Sequence, residues 1–179
     1  MSKYAIFGDS FITRLQSFTN GKLDFDRPHR FFGVSEMSTQ SKFTSKFREM
    51  LEYQPRYVFI NLGGNDITAA CDIQSIYINL INIAEELYNS GVERVFVASI
   101  IERGNFEQRT GLNSMMFNKI RRSLNNKLKK YFGHDFVQVG KRLRYPRHYD
   151  MDLVHPGCSE KGMTVFKHEV LKCFRRTIR

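Results

Sequence analysis

Two patterns of apolar positions alternate along the chain. Short apolar runs end at glycine or at a polar residue, and longer stretches carry an apolar residue every three or four positions. The short runs predict buried β-strands, and the spaced stretches predict amphipathic helices. The runs that fit strands span residues 4–8, 30–34, 57–62, 94–100 and 136–139. Their nearly continuous apolar character is typical of strands that are covered on both faces.

Stretches with helical spacing of apolar residues lie between the short runs and after the last one. The stretches that fit helices span residues 10–18, 38–53 (with Ser38 or Thr39 as the cap and Phe43 on the inward face), 72–88, 113–131 and 159–175. Strands that alternate with helices predict an α/β protein with helices on both faces of a parallel sheet. We therefore expect a three-layer α/β/α sandwich with a mostly parallel, roughly five-stranded sheet. No repeat or linker is apparent, so we expect one domain over residues 1–179.

The composition fits a folded protein in a reducing compartment. No apolar run approaches the roughly 18 residues of a membrane-spanning helix. The first predicted strand starts at Tyr4, which leaves no room for a signal peptide. The three cysteines show neither a disulfide framework nor metal-ligand spacing. The sequence therefore predicts an intracellular, cytoplasmic location, an inference that weakens if the chain is part of a polyprotein.

The net charge of +10 is concentrated in one region. Residues 119–147 carry ten lysines and arginines against Asp135 alone, so this stretch accounts for +9. With Tyr145 and Tyr149 among its arginines, the stretch could bind nucleic acid through phosphate contacts and base stacking. The alternative is that the basic helix residues form an ordinary solvated face. The basic loop before Asp152 would then be a positive rim of the pocket that favours anionic ester substrates. The sequence leaves both interpretations open.

Three short segments, in a fixed order, carry the candidate chemistry. They are Gly8-Asp9-Ser10, Gly63-Gly64-Asn65-Asp66 and Asp152-Leu153-Val154-His155. Ser10 and Asn65 each follow a predicted strand, and ligands of parallel sheets bind beyond the carboxyl ends of the strands. Each residue also has an ordinary interpretation when taken alone. Ser10 could cap a helix, Asn65 could belong to a turn, and His155 could be a surface histidine. Their combination predicts a nucleophilic acyl-transfer site.

The residue types assign the roles. Serine is a weak nucleophile until a base takes its proton, and His155 is a base suited to neutral pH. Asp152 can accept the other ring N–H of His155 and so fix its tautomer. Asp150 competes for that role. The sequence predicts Ser10, His155 and Asp152 as the catalytic residues.

The same segments resemble the sequence blocks of the SGNH (GDSL-type) hydrolases, with Phe11 where the familiar block has leucine. Gly33, after the second strand, resembles the glycine block. The resemblance implies a flavodoxin-like fold and an oxyanion hole formed by the backbone N–H groups of Ser10 and Gly33 and the side chain of Asn65. It also implies hydrolysis of small-molecule, lipid or carbohydrate esters through an acyl-serine intermediate, without a metal or cofactor. The size and the helix at 117–125 are similar to esterase domains of LINE-type retrotransposon proteins.

Other residues are weaker candidates. Cys158 lies near His155 but is better explained as a buried structural cysteine than as a nucleophile. Four further histidines, which show no paired metal spacing, are interpreted as surface or packing residues: His29, His134, His148 and His168. A second function class also stays open, in which an SGNH scaffold serves as a nucleic-acid or lipid-surface binding module and its esterase chemistry is secondary or lost.

Overall fold

The computed structural model describes residues 1–41, 44–159 and 161–179. These residues form one sheet in the order β2-β1-β3-β4-β5, and every pair of neighbouring strands is parallel. The strands are β1 (Tyr4–Gly8), β2 (His29–Gly33), β3 (Tyr57–Asn61), β4 (Arg94–Ala98) and β5 (Phe136–Val137). The predicted five-stranded parallel sheet is confirmed.

Helices cover both faces of this sheet. They are α1 (Ser10–Phe18), α2 (Ser45–Tyr53), α3 (Ile73–Asn89), α4 (Ser114–Phe132) and α5 (Gly162–Arg175). Successive strand residues point to opposite faces. Ala5 and Phe7 of β1 therefore pack in the cluster formed with α2, α3 and α4, whereas Tyr4 and Ile6 pack with α1 and α5. This arrangement is the predicted three-layer sandwich.

Several predicted boundaries move. The predicted fourth and fifth strands each end two residues early, at Ala98 and Val137. Of the helix predicted over 38–53, the described residues show a 3-10 turn at Thr39–Ser41 and α2, which starts at Ser45. Thr44, the N-cap of α2, has an extended backbone, so α2 begins after it. The Thr39 backbone N–H and hydroxyl both donate to the Asp66 carboxylate. Phe43, which was expected to point inward, lies outside the described residues.

The last helix also begins later than predicted, at Gly162. The preceding segment folds back on itself instead. Gly157 N–H donates to the His148 carbonyl at 2.8 Å, and Asp150 N–H donates to the His155 carbonyl at 2.9 Å. This closed loop, residues 148–157, carries both Asp152 and His155. Within the described residues, no helix is long and apolar enough to cross a membrane.

Candidate active site

The turn between β1 and α1 fixes Ser10. A side chain at Gly8 would collide with the Asn61 carbonyl oxygen of the neighbouring strand, so only glycine allows this close approach. Asp9 is 1 % exposed; its side chain caps α1 by accepting from Phe11 N–H at 3.1 Å and also accepts from Asn61 Nδ2 at 3.3 Å. Burial raises the pKa of Asp9 to about 6. Ser10 is thus the first residue of α1, at the carboxyl end of the sheet.

The three predicted catalytic side chains lie in a hydrogen-bonded row. Ser10 Oγ is 2.6 Å from His155 Nε2, and His155 Nδ1 is 2.6 Å from Asp152 Oδ2. A carboxylate only accepts hydrogen bonds, so Nδ1 carries the proton and Nε2 accepts from the serine hydroxyl. Phe11 packs beside the imidazole, with ring centroids 5.1 Å apart. A hydroxyl, an imidazole and a carboxylate in such a row can act as nucleophile, base and the group that orients the base.

Asp152 is held by its own loop. Its Oδ1 accepts the backbone N–H groups of Val154 and His155, at 2.9 and 3.0 Å. Burial disfavours the charged form, but these N–H groups and the His155 ring more than compensate and lower the pKa of Asp152 to about 2. Asp150, the competing candidate, forms no hydrogen bond with the His155 ring among the described contacts; its side chain accepts from Met151 N–H at 2.9 Å. The structure brings Asp152 to the imidazole.

Arg14 was not among the predicted site residues. Its guanidinium donates to Asp152 Oδ2 at 3.2 Å and lies 3.5 Å from Asp150 Oδ2. The sequence contained a signal for it, since Arg14 follows Ser10 by four positions on a predicted helix and must share its face. Arg14 thereby ties α1 to the loop at residues 148–157.

The environment of His155 favours its neutral form. Burial lowers the pKa of His155 below its usual 6.5, the hydrogen bond to Asp152 opposes this, and the positive charges of Arg14 and Arg103 lower the pKa further. A neutral imidazole is the form that can take a proton from serine.

Asn65 lies in a 3-10 turn, Gly64–Asp66, directly beyond β3. Its Nδ2 donates to the Met37 carbonyl at 3.1 Å, which leaves the second hydrogen of the amide for another acceptor. The next residue, Asp66, binds Thr39, so two hydrogen-bonded contacts tie this turn to the loop after β2. The amide is exposed at the carboxyl edge that also carries Ser10.

Gly33 does not have the geometry expected of an oxyanion donor. Val34 N–H donates to the Gly8 carbonyl, so the N–H of Gly33, the preceding residue in an extended strand, faces the opposite side, away from β1. A Cβ at Gly33 would lie 2.9 Å from the Thr13 backbone nitrogen. The lack of a side chain therefore allows α1 to pack closely on β2, and we do not retain Gly33 among the candidate donors.

Arg103, in the loop after β4, is the second residue that the sequence did not single out. Its Nη2 is 3.4 Å from Asn65 Oδ1, and its guanidinium lies over the Phe117 ring, 5.5 Å from the centroid. Burial lowers the pKa of Arg103, while the negative charge of Asp9 opposes this. No periodic pattern marks this loop, so sequence reasoning had no means of finding the residue. Arg103 contacts the Oδ1 atom of Asn65, so the Nδ2 atom of the same amide points away from Arg103.

The remaining candidates lie away from this row. Cys158 is exposed, contrary to the buried position that we expected. His29 accepts from Leu23 N–H and His148 accepts from Arg144 N–H, which are packing contacts, and His134 and His168 lie on the surface. Among the described residues, no group of three histidine, cysteine or acidic side chains could hold a metal ion.

The amino-acid sequence matches no protein-family model, and no curated protein is significantly similar to it. Solved structures are similar in fold. A GDSL-like lipase from Bacteroides thetaiotaomicron has a TM-score of 0.76 at 19% identity, over 99% of this chain and 89% of that chain. A lipase/acylhydrolase from Enterococcus faecalis has a TM-score of 0.75 at 15% identity, over 100% and 98%. An acetylxylan esterase from Geobacillus stearothermophilus has a TM-score of 0.65 at 14% identity, over 96% and 93%. This chain has the fold of the SGNH (GDSL-type) hydrolases, as the sequence resemblance predicted.

Proposed function

We propose that the chain is a serine esterase that hydrolyses carboxylic esters, preferably with short acyl groups, through an acyl-Ser10 intermediate. The observation that carries the proposal is the row Ser10–His155–Asp152, with both hydrogen-bonded distances at 2.6 Å. Its residues come from two elements 145 positions apart in the sequence, and each has the hydrogen-bond partner that its role requires. A binding module that had lost its chemistry would have no need to keep this row intact.

In the first step, Ser10 Oγ attacks the ester carbonyl carbon while His155 Nε2 takes the hydroxyl proton. The resulting imidazolium is stabilised by the Asp152 carboxylate. The carbonyl oxygen becomes an oxyanion that needs hydrogen-bond donors. Ser10 N–H has no intrahelical acceptor, because Ser10 is the first residue of α1. This N–H and the free hydrogen of Asn65 Nδ2 are the donors that we assign.

The intermediate then collapses. The C–O bond to the alcohol breaks, His155 returns its proton to the departing oxygen, and the acyl group remains on Ser10 Oγ. Water enters, gives a proton to His155 and attacks the acyl carbon. Breakage of the bond to Oγ releases the carboxylic acid, and Ser10 recovers its proton.

We infer the preference for short acyl groups from a protein that is similar in fold. One structural neighbour is by its name an acetylxylan esterase, whose acyl group is acetyl.

The proposal is tested by trapping the nucleophile. Wild-type protein is incubated with a fluorophosphonate, which phosphonylates activated serines, and the modified peptide is located by mass spectrometry. We expect modification of Ser10 alone, slowed while p-nitrophenyl acetate is present in excess as a competing substrate. A parallel series of p-nitrophenyl esters, from acetate to decanoate, is expected to show falling kcat/KM with acyl length. Absence of both labelling and hydrolysis, in protein with a cooperative thermal transition, would contradict the proposal.

Replacement of Asn65 by alanine tests the oxyanion assignment. Loss of one such donor lowers kcat by about 100- to 1000-fold with little change in KM, because the donor acts on the transition state. Steady-state kinetics with p-nitrophenyl acetate measure the effect. Asn105→Ala, at an exposed asparagine in the loop after β4, is the matched control and is expected to behave like wild type. An equal loss in both variants would refute a specific role for Asn65.

The pH profile tests the environment of His155. Protonation of Nε2 removes the lone pair that accepts the serine proton, so kcat/KM falls as the pH falls through the His155 pKa. Because this pKa is lowered, the midpoint of the acid limb is expected below pH 6.5. Arg14→Gln removes a charge that lowers the pKa, so the midpoint is expected to move to higher pH.

The control for this shift is Arg109→Gln, which removes an exposed arginine that pairs with Glu107. Its midpoint is expected to match that of wild type. A wild-type midpoint above pH 6.5, or equal shifts in the two variants, would exclude the described environment of His155.

A further inference from the structure

Two cavities lie side by side along the β5 edge of the sheet. The first, of about 400 Å³, lies between α4 and residues 138–145, and the second, of about 340 Å³, lies between the end of α4, β5 and α5. They share four lining residues: Lys129, Phe136, Gln138 and Lys141. Together they form one groove across the outer edge of the sheet, which we call the β5 groove.

The β5 groove is strongly basic. Its two carboxylates, Glu102 and Glu169, are already paired: Glu102 lies 3.2 Å from Arg121, and Glu169 lies 3.7 Å from Arg142. Among the described residues, four further lysine and arginine side chains in its lining have no carboxylate within 4.0 Å. They are Lys129, Lys141, Arg144 and Lys172. The groove therefore carries an uncompensated positive charge that an anionic ligand would neutralise.

The shape of the groove favours an extended anionic chain. Its cations line two adjoining depressions, where successive phosphates of one strand could each reach a lysine or arginine. The flat surface of a lipid membrane would contact only the outermost side-chain atoms of the groove. At one end Tyr145 is 37% exposed, and its ring packs edge-on against Tyr149, with centroids 5.0 Å apart. An exposed aromatic ring beside phosphate-binding cations is the arrangement on which unpaired bases stack.

We propose that the β5 groove binds single-stranded nucleic acid, with its lysines and arginines on the phosphates and Tyr145 against a base. The groove includes none of Ser10, Asn65, Asp152 or His155. Binding there leaves the esterase site free, so this proposal does not depend on the proposed esterase function.

The test is fluorescence anisotropy of the full chain with a labelled single-stranded RNA of about 20 nucleotides. Four phosphate contacts give a slope of about −3 for log K against log salt, which corresponds to an affinity loss of about 50-fold between ~0.05 and ~0.2 M salt. The variant Lys129→Gln/Lys141→Gln/Arg144→Gln is expected to bind about 100-fold more weakly at ~0.1 M salt, and its slope is expected to be smaller by about 2. Tyr145→Leu is expected to weaken binding about 10-fold with an unchanged slope.

The matched control removes the same charge elsewhere. Lys3→Gln/Lys22→Gln/Arg48→Gln changes two lysines and one arginine that are exposed outside the β5 groove. Its RNA affinity is expected to stay within a few-fold of wild type. Thermal unfolding of both triple variants shows that they fold, and unchanged ester hydrolysis separates this proposal from the esterase one.

Three outcomes would overturn the assignment. Equal losses in the two triple variants would indicate attraction to the net charge alone. Equal affinity for a duplex of the same length would exclude single-strand recognition. Flotation with phosphatidylcholine vesicles that contain phosphatidylserine, without RNA binding, would make the groove a membrane contact.

Discussion

Replacement of Ser10 by alanine is expected to lower kcat for p-nitrophenyl acetate by about 10⁴- to 10⁶-fold. The effect is large because the acyl-enzyme route disappears altogether when Oγ is removed, and residual catalysis comes only from the oxyanion donors and from substrate binding. KM is expected to change little, since Oγ does not hold the ground-state ester. Single-turnover and steady-state kinetics measure the loss.

The matched control is Ser17→Ala, at an exposed serine on the same helix. This variant is expected to retain wild-type kcat. The Ser10→Ala protein should also resist the fluorophosphonate. Hydrolysis that survives in Ser10→Ala, once contaminating esterases are removed by a second purification step, would place the nucleophile elsewhere.

Asp152→Asn is expected to lower kcat by about 10⁴-fold at neutral pH. The carboxylate accepts the Nδ1 proton of His155 at 2.6 Å, and an amide in its place can instead donate to Nδ1. The imidazole would then carry its proton on Nε2, where it cannot take one from Ser10. The carboxylate that stabilises imidazolium is lost as well. Activity measured from neutral to alkaline pH shows whether hydroxide partly restores the rate.

Asp150→Asn is the natural comparison, because Asp150 lies two residues earlier in the same loop and also faces Arg14. Removing its charge is expected to change kcat by less than about 10-fold, because Asp150 makes no described hydrogen bond to the imidazole. If the two variants lost equal activity, the loop's charge would matter more than its hydrogen bond to His155. If only Asp150→Asn lost activity, the roles would be reversed.

The apolar pattern was sufficient to predict the five strands and the order of the helices, though not every boundary. Strands covered on both faces are nearly continuously apolar, and amphipathic helices carry an apolar residue every three or four positions. The row of Ser10, Asp152 and His155 was also predictable, since each residue type has a distinct chemical role. The role of Gly33 could not be predicted in this way. The direction of a strand N–H depends on the pairing register, and the position of a residue in the sequence does not determine that register.

Charged groups that come from separate elements were harder to predict. Arg14 had a local signal, four positions after Ser10, but Arg103 acts through a loop whose course depends on tertiary contacts. The basic stretch over residues 119–147 was evident, yet three of its residues on α4 are exposed outside the β5 groove: Lys119, Arg122 and Lys130. Lys172 in α5 joins the β5 groove only because the sheet brings α5 beside β5.

The contact of α1 with the loop at residues 148–157 also has a consequence for how the protein reaches its active form. Ser10 and Arg14 are made early in the chain, whereas Asp152 and His155 come late, and 145 positions separate Ser10 from its base. The loop contributes no strand to the sheet, yet it carries the imidazole that pairs with Ser10. If the proposed function holds, recovery of hydrolysis during refolding therefore reports on the docking of this loop onto α1, which spectroscopic probes of the sheet do not report.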